Sequence, residues 1–213
     1  NGTKNKEKRF MKSFLRKTLK FFGITFLMLL ILYWFLLSDF NPMFNDETFQ
    51  HLKKEVEKSK KEDLSSLSEL YLELHEIQNL NSTLFFNKTG LKVCPSLDVV
   101  RQYSHSFRVN NKLPFVEIIY GLKIEKEFSN EDCLKFLFLN KDYLNGNKGV
   151  MNASNYYFKK NLSELNQTEK LTLIVIFRNP SLYNPNRNPE LIKNRIFLFK
   201  KRLNEKNLKI KTN

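Results

Sequence analysis

The hydrophobic pattern divides the chain into one unbroken apolar stretch near its start and a long remainder of broken, helix-spaced runs. From Phe21 to Leu37 the residues read FFGITFLMLLILYWFLL, without a charge and with Thr25 as the only aliphatic hydroxyl. Rising about 1.5 Å per residue, such a helix approaches the roughly 30 Å hydrocarbon thickness of a bilayer. Tyr33 and Trp34 fall near its far end, where amphipathic rings favour the membrane interface. Asn41-Pro42 then predicts a break in the helix. Residues 46–63 are dominated by charge, with too few apolar positions for a broad core stripe, and predict a solvated helix or stalk. From Leu64 the pattern changes. Leu67, Leu70, Leu72, Leu74 and Ile77 predict an apolar helix, and further helices are predicted at 115–126, 131–140, 152–158, 165–177 and 191–203. Asn, Gly and Pro punctuate the intervals, strand signals are weak and no internal repeat is present. The expected fold class is mainly α, a single-pass transmembrane helix plus a small helical domain. Its expected parts are a basic cytoplasmic tail at 1–20, the span at 21–38, a charged juxtamembrane stalk at 39–63, a domain at 64–205 and a basic tail at 206–213.

Charge changes this picture in one respect. The net charge of +14 suggests nucleic acid until its distribution is read. Residues 1–20 carry eight Lys/Arg against Glu7, and residues 193–213 carry eight against Glu205, so each end is +7 and the middle is neutral. Two basic ends around a neutral middle argue for a topology signal and a lipid contact, with no nucleic-acid partner. Residues 193–213 are thus candidates for contact with anionic lipid headgroups, and a plainly solvated basic tail is the competing reading. Lys12, Arg16, Lys17 and Lys20 precede the apolar stretch while Ser38 and Asp39 follow it. The positive-inside rule then puts the N-terminus in the cytoplasm and residues from about 39 onward outside. A cleaved signal peptide is the alternative. The stretch exceeds a usual signal core and no small-x-small site follows it, which favours a retained anchor.

The chemistry-bearing side chains are sparse. Cys94 and Cys133 would lie where a disulfide is permitted. Cys133 also occupies an apolar slot of a predicted helix, where a buried thiol is ordinary. His51, His75 and His105 lack metal-ligand spacing, so neither a metal nor a cofactor is expected. Asn-x-Ser/Thr occurs at Asn81, Asn87, Asn152, Asn161 and Asn166. These would be glycan acceptors in a eukaryotic secretory lumen, but chance matches are expected in a chain so rich in Asn.

A family resemblance emerges from short matches in a fixed order. Glu117-Ile-Ile-Tyr-Gly-Leu-Lys-Ile-Glu125 is followed by Phe128-Ser129 and by Glu131 to Leu139-Asn140. Tyr143-Leu-Asn-Gly146 and Gly149-Val150 then lead into Ala153-Ser-Asn-Tyr-Tyr-Phe-Lys-Lys160. Leu162-Ser-Glu-Leu165 and Glu169 precede Pro180-Ser-Leu-Tyr-Asn-Pro185, Asn188-Pro-Glu190 and Arg195. Over about 115–203, with a weak extension back to about 64, the chain resembles the family-51 peptidoglycan glycosyltransferases, membrane-anchored enzymes that polymerise lipid II into glycan strands. The resemblance implies a lysozyme-like helical domain at the outer face of the cytoplasmic membrane.

The same resemblance exposes gaps in the chemistry. The family's first motif, E-D-x-x-F-x-x-H-x-G, supplies the glutamate for proton transfer. In the best register, Phe85 and Gly90 fit, while Asn81 stands at the glutamate, Ser82 at the aspartate and Lys88 at the histidine. An amide cannot exchange a proton near neutral pH as a carboxylate does. The second motif, G-G-S-T-I-T-Q-Q, has no counterpart, and the short interval from Gly90 to Glu117 reads as its deletion. The third, R-K-x-x-E, keeps Glu117 in register but replaces the cations by Leu113 and Pro114, with Lys112 one place off. Glu117 is therefore the candidate catalytic residue, and Lys112 and Lys88 are the candidate substrate-binding cations. The expected function is an inactive structural or accessory subunit of a membrane or cell-envelope complex, working through protein partners. The alternative is a divergent active transglycosylase using Glu117 with Glu73 or Glu76. A eukaryotic or organellar membrane-complex subunit is a third class, marked by its sequons.

Overall fold

The computed structural model of the chain describes residues 2–75, 96–106 and 114–212. They form two compact units, Asn1–Asn45 and Asp46–Asn213.

The first unit is built on helix α1 (Gly2–Leu36). Within it Phe14–Leu36, 23 residues, is long and apolar enough to cross a bilayer. At about 1.5 Å per residue this gives roughly 34 Å. Thr25 Oγ1 donates to Phe21 O at 2.9 Å, so the aliphatic hydroxyl in the apolar stretch is satisfied within the helix. The C-terminal carbonyls are tied off locally. Ser38 Oγ donates to Phe35 O and Asn41 Nδ2 to Leu36 O, both at 2.8 Å. A 3-10 turn at Pro42–Asn45 follows.

The second unit is helical, with no named strand among the described residues; its helices are α2 (Glu47–Ser59), α3 (Ser65–His75), α4 (Ser96–Ser106), α5 (Pro114–Glu127), α6 (Asn130–Asn140), α7 (Val150–Phe158), α8 (Gln167–Arg178) and α9 (Pro189–Thr212). Side-chain caps set several starts. Ser129 caps α6 in a reciprocal box with Asp132, and Asn166 caps α8 in a box with Glu169. Asn161 makes a comparable box with Glu164. Two of the five sequons are therefore also capping sites, a local structural use for Asn that needs no glycan.

At the centre lie α6 and α8. Cys133, Leu134, Phe136, Leu137 and Phe138 are buried on α6, and Leu171 with the run Leu173–Phe177 on α8. A helix apolar nearly all round belongs in the middle of a domain. Tyr71 of α3 meets Phe138 and Phe177 edge-on, with centroids 5.7 Å away in each case. Burial pushes the Tyr71 phenol up to about 12.

One expectation needs correction. The solvated stalk over 39–63 is not what α2 forms. Phe49, Leu52 and Val56, spaced by three and four residues, are buried, and α2 packs on α6. A narrow stripe is enough when the helix lies on a domain surface and its charges face water. Lys53 adds an ion pair to Glu127 of α5 at 2.7 Å. The short interval from Gly90 to Glu117, without the second motif, holds helix α4. Cys133 is buried in α6, and Cys94, its candidate disulfide partner, lies outside the described residues.

The loop from α6 to α7 is tightly built. Tyr143 N donates to Asn147 O at 2.9 Å and Gly149 N to Lys141 O at 2.8 Å. Leu144, Asn145, Gly146 and Gly149 all have positive φ. Tyr143 is fully buried, and its carbonyl accepts from Tyr157 Oη at 2.8 Å. This turn holds α7 against the central helices.

Candidate functional site

Glu117 lies in the first turn of α5, which opens at Pro114. Proline suits that position because its missing N–H would have had no helical partner. The exposed backbone N–H groups of a helix start favour a carboxylate there. Phe115 beside it is 73% exposed, and Ile118 is also exposed.

Helix α4 packs along α5 and brings Arg101 to this carboxylate. Arg101 Nε is 3.6 Å from Glu117 Oε2, and the same guanidinium is 4.0 Å from Asp98 Oδ1 one turn earlier on α4. Both partners of the Arg101–Glu117 pair are partly exposed, so it is worth about 0.2–1 kcal/mol in stability. The carboxylate in register with the family's third-motif glutamate already faces a fixed cation of its own chain.

Gln102, next on α4, donates from Nε2 to Asn140 O at 3.1 Å and ties the helix to the end of α6. On the other side of α4, Tyr103 is buried with its hydroxyl 2.9 Å from His51 Nδ1 of α2. Tyr120 of α5 donates to Asp46 Oδ2 at 3.3 Å. Burial, and then the Asp46 charge, pushes the Tyr120 phenol up to about 12. Lys123 of α5 is buried and pairs with Glu127 at 3.3 Å. The Tyr103–His51 and Tyr120–Asp46 contacts tie α4 and α5 to α2 and its N-cap.

Of the residues singled out by sequence, Glu117 is placed on α5 and Cys133 in the α6 core, while residues 193–213 fall almost wholly in α9. Asn81, Lys88, Cys94 and Lys112 lie outside the described residues. His51 packs on Tyr103 and bonds it, a structural role. Arg101 escaped sequence reasoning because its stretch reads as a gap. No local signal singled it out, since Lys92, Arg108 and Lys112 share the same interval.

Known proteins bear on this geometry. A family model described as Transglycosylase matches residues 99–204. It opens at Val99, within α4. The chain is 34% identical over 80 residues to penicillin-binding protein 1F of Bacillus subtilis (strain 168), covering 37% of this chain and 11% of that protein. Penicillin-binding protein 1A of Neisseria gonorrhoeae is 31% identical over 100 residues, 45% of this chain and 12% of its own length. Penicillin-binding protein 1B of Buchnera aphidicola subsp. Baizongia pistaciae is 38% identical over 84 residues, 37% of this chain and 11% of that protein. The chain thus spans only a small part of the length of these relatives. Helical architecture, ordered motifs and matched segment agree: this chain carries a family-51 transglycosylase-like domain.

Proposed function

We propose that this protein is anchored in the cytoplasmic membrane, presents its transglycosylase-like domain on the outer face, and serves as an inactive structural or accessory subunit of a cell-envelope complex. The observation that carries the reading is the amide of Asn81 at the position of the family's first-motif glutamate, with Leu113 and Pro114 at the third-motif cations. Extending a glycan requires a base to take the proton of the attacking sugar hydroxyl and cations to receive the departing diphosphate. Here Asn81 stands where the first carboxylate belongs, and Glu117 is engaged by its own chain. The apolar helix Phe14–Leu36, with its preceding basic residues, supports the anchor and its direction. A scaffold without its chemistry works by contact, through protein partners in a membrane complex. Purified chain given lipid II in nanodiscs should form no glycan above a protein-free control. Polymer that disappears in Glu117→Gln would reject the proposal.

Arg101 itself favours a second reading. It brings a guanidinium beside Glu117 where Leu113 and Pro114 have replaced two cations, and a planar fork suits a diphosphate. A divergent active transglycosylase would use this pair with a second carboxylate, Glu73 on the exposed side of α3 or Glu76. It requires polymerisation to fall in Arg101→Ala as well as in Glu117→Gln.

A further inference from the structure

Helix α9 has two unlike faces. Ile192, Ile196, Phe199 and Leu203, spaced by three and four residues, are buried in the domain. On the opposite side Phe197 is 68%, Leu198 53% and Leu191 44% exposed. At 3.6 residues per turn, Phe197 and Lys201 share the centre of this outer face. Leu191 and Leu198 form one edge, and the exposed Lys193 and Lys200 form the other; Glu190 and Glu205 lie on the same side, with Glu190 2.7 Å from Lys193 Nζ. A large aromatic held in water is disfavoured by burial energetics, and the surrounding lysines say what kind of surface would relieve it.

Two features select the occupant. First, one Phe and two Leu make a patch far smaller than the roughly 800 Å² per partner of a stable protein interface. A weak contact suffices, however, for a surface to which the chain is already tethered. Second, bases outnumber acids among the exposed residues of α9, with Lys193, Lys200, Lys201 and Arg202 against Glu190 and Glu205, a balance that complements an anionic lipid surface. Lysine suits such a layer, with a hydrated point charge on an apolar stem that can reach outward while the stem packs.

We infer that the outer face of α9 is an interfacial membrane-docking surface for anionic phospholipid, with Phe197 and Leu198 entering the acyl boundary and Lys193, Lys200 and Lys201 meeting the phosphate headgroups. The inference rests on the anchored reading of α1. Docking would hold the domain down against the bilayer by a second contact, as interfacial helices do. Each basic residue near an anionic surface changes the docking constant about fivefold, and Glu190 and Glu205 offset part of what the three lysines supply.

The chain has a single tryptophan, Trp34, which allows a clean test. The chain carrying Trp34→Phe and Phe197→Trp is reconstituted in nanodiscs whose acyl chains are brominated. With phosphatidylglycerol present, emission of the introduced indole should be blue-shifted and quenched. Both effects should fall in pure phosphatidylcholine, at high salt, or on changing the three lysines to Glu. Solvent-like emission, unquenched in the anionic discs, would overturn the inference, as would a blue shift that depends on protein concentration instead of lipid charge and so marks a second copy. Trp34 of the unaltered chain, in the same discs, tests the anchor separately. If Trp34 is quenched and the introduced indole is not, docking fails while anchoring stands. If Trp34 itself is unquenched, the anchored reading fails. Should the substituted chain misfold, acylation footprinting of Lys193, Lys200 and Lys201 in the unaltered chain gives the same decision. Protection only in anionic discs supports docking, and equal labelling in both lipids overturns it.

Discussion

Replacing Gly149 by Ala should be among the most damaging one-methyl changes in this fold. Gly149 is the residue before α7, with φ 85° and ψ 149°, and its N–H donates to Lys141 O at 2.8 Å. That backbone region is nearly closed to other residues and costs about 1–3 kcal/mol when forced. A Cβ here would also stand 2.7 Å from Leu139 O and 3.4 Å from Leu139 C. Those atoms are backbone at the end of α6, so relief requires the loop or the helix to shift, which adds about 1–3 kcal/mol by analogy with overpacked cores. Together the cost is roughly 2–6 kcal/mol. Gly146→Ala is the internal control. Its φ is 78°, and nothing lies within 4 Å of its Cβ position, so only the left-handed backbone term of about 1–2 kcal/mol applies. Thermal unfolding of the purified chain in detergent, followed by circular dichroism, should show at least about a 4 °C loss for Gly149→Ala. A loss no greater than that of Gly146→Ala would refute the close approach of Gly149 to α6.

Other consequences follow from the same contacts. Phe49→Ala in α2 should cost about 3–5 kcal/mol, whereas Lys54→Ala on its exposed face should stay within about 0.5 kcal/mol. Equal, small effects in denaturant titration would return α2 to the role of a solvated stalk. Asn166→Ala removes the cap of α8 and should cost about 0.5–2 kcal/mol in the same titration. Lys160 and then the Asn166 backbone N–H hold the Glu169 carboxyl below its usual value of 4.5. A carboxyl depressed in the folded state adds stability that is present above pH 4.5 and is lost as pH falls through the folded value. Melting temperature against pH should therefore decline less on the acid side in Glu169→Gln, and an unchanged decline would contradict this source of acid sensitivity.

The sequence was most legible where periodicity and capping agree. Ser129 before Asp132, and Asn166 before Glu169, mark helix starts that the structure places at Asn130 and Gln167, close to the expected boundaries at 131 and 165. The apolar span was equally plain, because no other stretch lacks charge for so long. Helix α4 was missed since Val99, Val100 and Tyr103 give only a thin buried stripe among polar neighbours. Helix α2 was misread for a related reason. Its charges outnumber its anchors, and local composition cannot report that α6 waits across three spaced apolar residues. Motif order located Glu117, but Arg101 reaches it only through the packing of two helices, which no local window contains. The part of α9 beyond residue 203 was likewise underestimated, because a helix that continues with Lys and Asn shows little apolar repeat.

Turnover of lipid II decides the central claim most directly. Fluorescent lipid II is incubated with the unaltered chain, Glu117→Gln and Arg101→Ala in nanodiscs, and the products are resolved by size. A transglycosylase-like domain that has kept its scaffold and lost its chemistry predicts no glycan strands in any of the three. Strands made by the unaltered chain and abolished by Glu117→Gln would contradict it.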